Sequence, residues 1–127
     1  MENVILDASA LLALLNDEPG SEAVAAALAA ASISAVNLSE VVAKLADYRM
    51  SETEIRHALD ALGLEVVRFD HELAYAAGLL RPATRSLGLA LGDRACLALG
   101  LRQGTPVLTC DQRWSRADLP LEIRIVR

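Results

Sequence analysis

The sequence predicts an α/β domain built on a parallel sheet, and three observations carry that prediction. Val4-Ile5-Leu6 is an unbroken branched apolar run without polar alternation, the pattern of a strand covered on both faces. Strand-like runs alternate along the chain with segments whose apolar residues keep helical spacing, which calls for right-handed crossovers between parallel strands. The composition is 54% hydrophobic but only 3% aromatic, so the core must be aliphatic, with Ala, Leu and Val packed between helices and sheet. The 127 residues are expected to form one domain, 1–127, burying roughly two thirds of the surface the unfolded chain exposes.

The first strand, Val4-Ile5-Leu6, runs straight into Asp7. Ligands of open α/β sheets collect beyond the carboxyl ends of the strands, so Asp7 stands at a candidate crevice. Leu11, Leu12, Leu14 and Leu15 then make a short apolar helix, which the breaker Asn16-Asp17-Glu18-Pro19-Gly20 ends. A second helix, about Ser21 to Ala30, puts Val24 and Leu28 on one face. The apolar excess of this pair goes to the core or to a partner surface. Ile33-Ser34-Ala35-Val36 reads as the second strand, and Asn37-Leu38-Ser39-Glu40 opens a helix with Leu38, Val41, Val42 and Leu45 at helical spacing.

Ser51-Glu52-Thr53-Glu54 is a capping box ahead of a helix with Ile55, Ala58, Leu59 and Leu62 inward and Gly63 as its stop. Leu64 to Phe69 is the third strand. Asp70 caps the next helix, whose stripe is Leu73, Ala76, Ala77 and Leu80 and whose end is Pro82. The loop Leu87-Gly88-Leu89-Ala90-Leu91-Gly92 delivers Asp93 to the start of an almost wholly apolar helix, Ala95 to Leu101, which should be buried. Gly104-Thr105-Pro106 turns the chain into the fourth strand, Val107-Leu108-Thr109, followed at once by Cys110-Asp111. A last strand covers about Glu122 to Val126.

The net charge of −5 argues against a general nucleic-acid coat protein, but its distribution is uneven. Residues 1–63 hold ten acids and three bases, whereas residues 64–127 hold seven acids and nine bases. All bases but Lys44 are Arg. Arg68, Arg81, Arg85, Arg94, Arg113 and Arg116 are either solvated surface charges or, if they share a rim, phosphate contacts. Cys96 and Cys110 form neither a CxxC nor a zinc pattern and read as core thiols of a reducing compartment. His57 and His71 read as surface residues. Asp7 interrupts the first apolar segment, which no basic stretch precedes, and Ser32, Ser34 and Asn37 break the Ala-rich stretch from Ala23 to Leu38. Neither a signal peptide nor a membrane span is expected, and a cytoplasmic location is.

Four carboxylates stand where elements begin or end: Asp7 after strand one, Glu40 in the first turn of a helix, Asp93 at a helix start and Asp111 after strand four. Each has an ordinary structural explanation. Asp7 or Ser9 and Asp93 would serve as N-caps, Asn37 and Glu40 as a capping box, and Asp111 in an Asx turn. Their joint placement asks for more, because a doubly wound sheet brings several of them to one edge, where anions repel unless a cation sits among them. Oxygen ligands suit Mg2+ or Mn2+.

These blocks resemble a known family. Val4-Ile5-Leu6-Asp7-Ala8-Ser9-Ala10-Leu11, Asn37-Leu38-Ser39-Glu40-Val41, Gly88-Leu89-Ala90-Leu91-Gly92-Asp93-Arg94 and Val107-Leu108-Thr109-Cys110-Asp111-Gln112-Arg113-Trp114 look like those of PIN-domain ribonucleases, most of all VapC-type toxins of toxin-antitoxin pairs. The resemblance implies a three-layer fold with a central parallel sheet of about five strands, strand one in the middle. It implies an acidic quartet of Asp7, Glu40, Asp93 and Asp111, with Asp7 and Asp93 the direct Mg2+ ligands. Ser9 and Thr109 match small hydroxyl positions that orient metal, water or phosphate. Cys110 stands where the family often has a small residue such as Ala. The resemblance further implies an RNA substrate, a homodimer, and a cognate antitoxin whose C-terminal segment crosses the toxin and places an Arg among the acids.

The resulting expectation is metal-dependent endonucleolytic cleavage of RNA, by in-line attack of an activated water. Two rivals differ from it in kind. A phosphoryl-transfer enzyme of haloacid-dehalogenase or receiver type would need a second acid near Asp7 and a late Lys, where Ser9 and a single early Lys44 stand instead. A non-catalytic interaction module would use the acids only as caps or as a dock for basic peptide. Nucleotide-cofactor binding lacks both GxGxxG and GxxxxGK[ST].

Overall fold

A computed structural model describes all 127 residues. Five short strands, β1 (Val4–Leu6), β2 (Ala31–Ser34), β3 (Glu65–Val67), β4 (Val107–Thr109) and β5 (Ile123–Ile125), form one parallel sheet in the order β3-β2-β1-β4-β5. β1 is therefore central. Its two faces enter separate cores. Val4 and Leu6 join Leu11, Val24, Ile33, Val41, Leu45 and Ile55 under α1 (Ala8–Leu15), α2 (Ser21–Ala27), α3 (Ala35–Asp47) and α4 (Glu52–Asp60). Ile5 and Val107 face the other way, into a core with Leu73, Ala77, Leu97, Leu99 and Trp114. The covering helices there are α5 (His71–Leu79), the single turn α6 (Arg81–Thr84) and α7 (Leu91–Gln103). Helices, sheet and helices make three layers, and each fully buried Leu or Ile contributes about 1.5–3 kcal/mol.

The expected elements are present, with shifts that have local causes. β2 starts at Ala31 and not at Ile33, because Ala31 and Ile33 are the residues that pair with Val4 and Leu6 and turn into the core. Ser34 then ends the strand and caps α3, accepting the Val36 N–H at 3.2 Å, so the helix opens at Ala35 ahead of Asn37. α7 opens at Leu91, which places Asp93 inside its first turn and not at the N-cap. The Ser51–Glu54 capping box is present, with bonds of 3.2 and 2.8 Å, and Asp70 caps α5 by accepting the Leu73 N–H at 2.8 Å. Pro82 does not close α5; it sits in the first turn of α6, where its missing N–H costs nothing. Ala76 is exposed, off the expected stripe, and the second helix passes into a 3-10 turn at Leu28–Ala30.

The apolar excess of the first two helices goes to the core, against which Leu12, Leu14, Leu15 and Ala27 pack. Ala95 to Gly100 are buried, as the apolar run demanded. No helix is long and apolar enough to cross a membrane.

Candidate metal centre

Asp7 follows β1 directly, caps α1, and is the one buried charged side chain of the molecule. One of its oxygens accepts the Ala10 N–H at 2.8 Å and the Ser9 hydroxyl at 2.7 Å, and the other accepts the Thr109 hydroxyl at 2.5 Å. Both hydroxyls are aimed by the chain leaving β4. Ser9 Oγ accepts the Cys110 N–H at 2.9 Å and Thr109 Oγ1 accepts the Asp111 N–H at 3.0 Å, which leaves each hydroxyl proton free for Asp7. Burial nevertheless dominates and pushes the Asp7 carboxyl up to about 6, with the charge of Asp93 adding to the rise.

Asp93 accepts the Ala90 N–H at 2.9 Å at the positive end of α7. Burial raises its pKa, Asp111 raises it further, and the Ala90 N–H and Arg113 oppose both. Glu40 comes to the same place from α3 through Asn37, a residue that was expected to help cap α3 and does not. Buried one turn before Glu40, Asn37 donates from Nδ2 to Glu40 Oε1 at 2.8 Å and to the Gly92 carbonyl at 3.0 Å. One amide thus ties the acid of α3 to the first turn of α7. Gly92 is required for that approach, since a Cβ there would collide with the Glu40 carboxylate. Asn37 Oδ1 is buried and has no partner, an unusual state for a native acceptor.

Asp111 lies two residues beyond Thr109 and is gripped by Arg113. Nη2 donates to Oδ2 at 2.6 Å, Nε to Oδ1 at 3.0 Å, and the Arg113 backbone N–H to Oδ1 at 3.0 Å. That grip holds the Asp111 carboxyl below the usual range. The same guanidinium reaches Asp93 Oδ2 at 3.9 Å and donates to the carbonyls of Leu87 and Gly88 at 3.1 and 3.2 Å. Arg113 is thus neither a freely solvated charge nor a phosphate contact on a rim, the two readings its sequence allows, and its position beside two acids leaves no signal in the sequence. Next to it Trp114 is fully buried, its indole N–H near Asp111 but outside hydrogen-bonding geometry.

The charges of Asp7, Glu40 and Asp93 all bear on the buried Cys96, and that of Asp111 bears on Asp93. The four acids do not close into a cage: no group of three or more His, Cys, Asp or Glu side chains stands close enough to hold a metal ion by itself. The donors are all oxygen, two of them carboxylates whose burial works against their charge, with the unpaired Asn37 Oδ1 beside Glu40. This set fits a hard divalent cation, which takes one or two carboxylates and keeps several waters.

The remaining candidates divide. His57 and His71 are exposed as expected, the latter against Tyr75 at 5.0 Å. Cys96 is a core thiol, but Cys110 is only half-buried, with Sγ 3.7 Å from the Ser9 carbonyl. Arg94 turns inward and ties α7 to α5 through the Ala77 carbonyl at 3.0 Å, so it is no rim charge. Arg68, Arg81, Arg85 and Arg116 are exposed.

A family model described as PIN domain matches residues 4–119. No curated protein matches the sequence. Among solved structures, the chain is similar to a DNA-bound VapBC from Salmonella typhimurium, with TM-score 0.68, 20% identity and 98% of each chain covered. It is likewise similar to a toxin-antitoxin complex from Klebsiella pneumoniae, with TM-score 0.70, 19% identity, and 95% of this chain and 100% of that chain covered. VapBC2 from Rickettsia felis, bound to a fragment of its promoter DNA, gives TM-score 0.72 at 17% identity, covering 95% of this chain and 96% of that one. At these identities the likeness is one of fold.

Proposed function

The chain belongs to the PIN-domain family, and on that premise we propose that it is a VapC-type toxin, a divalent-metal-dependent endoribonuclease restrained by a cognate antitoxin. The observation that carries the reading is Asp7. A buried carboxylate at the carboxyl end of the central strand, held by Ser9 and Thr109 and raised to about 6, is costly to keep ionised. The charge of Asp93 bears on the same carboxyl, where a single acid would suffice as a helix cap.

Asp7 and Asp93 would hold Mg2+ or Mn2+. When bound, such an ion supplies Lewis-acid polarisation of the phosphodiester and of the attacking water. The chain's own residues do the positioning. Ser9 and Thr109 fix the Asp7 carboxylate, and Asn37 holds Glu40 against α7, where it can accept a proton from water through a hydrogen bond. Asp111 keeps a negative charge on the β4 side of the site. Arg85 and Arg116, exposed on the neighbouring 3-10 turns 85–87 and 112–116, supply phosphate contacts on the basic half of the chain.

The antitoxin partner is supported by the complexes in which the similar structures occur. A homodimer is supported by the apolar side chains that α5 leaves open, Tyr75 at 62% and Leu79 at 76% exposure. The deciding experiment is cleavage of a structured RNA by purified protein with Mg2+, with chelator, and in Asp93→Asn. Metal-dependent cleavage lost in the variant is expected. Cleavage that persists in chelator or in Asp93→Asn would overturn the mechanism, and metal binding without cleavage of any RNA would leave a non-catalytic module.

A further inference from the structure

Resting on the metal-dependent reading above, we propose that Arg113 is a built-in competitor for the divalent cation, occupying the Asp93–Asp111 side of the site and leaving it when the cation binds. The guanidinium forks onto both oxygens of Asp111, by 3.0 and 2.6 Å bonds, and its Nη2 stands 3.9 Å from Asp93. It therefore offsets the same mutual repulsion that a cation would offset. A carboxylate gripped in this way has its lone pairs engaged, so a cation gains access to Asp111 only by displacing the fork.

The displacement is sterically open. Arg113 keeps 44% of its side chain exposed, and apart from Asp111 and Asp93 its side-chain partners are the carbonyls of Leu87 and Gly88, the latter at a left-handed turn with φ 68°. Asn37 Oδ1, on a residue only 1% exposed, has no hydrogen-bond partner beside Glu40, an acceptor whose demand a hydrated cation can meet. Arg113 acts here as a positioning residue: it touches the acids and not the reacting atoms.

The test uses the full chain and two variants, Arg113→Ala and Arg113→Lys, titrated calorimetrically with MnCl2. Arg113→Ala should bind Mn2+ about three- to tenfold more tightly than the parent, the span between an exposed ion pair and a charge-assisted fork. Arg113→Lys keeps the charge, loses the fork and should fall between them, which preserves the test if the alanine variant folds poorly. Trp114, the single tryptophan, adjoins Arg113 and reports the same event. Its emission should change as Mg2+ is added to the parent and stay constant in Arg113→Ala. Equal or weaker Mn2+ binding by both variants, or parent emission that ignores Mg2+ while calorimetry shows binding, overturns the competitor and leaves the metal site standing. No Mn2+ binding by any of the three chains overturns both.

Discussion

Asp7→Asn should stabilise the fold at neutral pH while removing activity. The folded carboxyl takes up its proton at about 6 against 3.8 for a free Asp, because burial opposes its charge. Across that window the folded state holds the extra proton, so the contribution of Asp7 to stability is fully present below 3.8 and is lost as pH rises through about 6. The shift of roughly two units corresponds to about 3 kcal/mol at pH 7.5. Asparagine is neutral and escapes that cost, but it keeps one acceptor oxygen where the carboxylate has two, and the weaker bond to Thr109 or Ser9 returns about 1.5 kcal/mol. The net expectation is a gain of about 1–2 kcal/mol at pH 7.5, or about 4–8 °C in Tm for a chain of this size. Urea unfolding from pH 4 to pH 8 in chelator checks it, and the gain should vanish towards pH 4. Saturating Mg2+ should narrow the gap by stabilising the wild type alone. A variant less stable at pH 7.5, or a difference that does not vary with pH, would refute the reasoning.

Asn37→Ala leaves Glu40 without its tether and should lower cleavage or Mn2+ affinity about 10–100-fold, as removal of a ligand's supporting hydrogen bond does, with circular dichroism unchanged. Gly92→Ala drives a methyl group into the Glu40 carboxylate and should cost about 1–3 kcal/mol in urea unfolding as α3 and α7 are forced apart. Thr109→Val keeps the volume and deletes the hydroxyl that donates to Asp7. The Asp7 titration followed by NMR should then move above about 6, since one of the bonds favouring the charged form is gone.

The strand that carries Asp7 was legible because three branched residues in a row leave few alternatives, and the glycine loop before Asp93 marked a helix start. What escaped was the close approach of Glu40 to Gly92. Asn37 and Glu40 fit a capping box on paper, and only the earlier start of β2 at Ala31, which lets Ser34 take the cap, frees Asn37 to bridge two helices. Small Ala31 has too weak a strand signature to reveal this. Arg113 was equally opaque, because the spacing of Asp111 and Arg113 along the chain says nothing about Leu87 and Gly88, which hold the guanidinium from about 25 residues away. Contacts set by tertiary docking leave no local period or composition to read.

During synthesis Val4–Leu6 emerges ahead of Ala31–Ser34, which soon covers one of its edges. The other edge waits for Val107–Thr109. A chain stalled on the ribosome before that point has neither Thr109 to fix Asp7 nor Cys110 to aim Ser9, and it lacks the acid at 111 as well. An activity seated there cannot arise on a growing fragment. The site is complete only when the late strands lock.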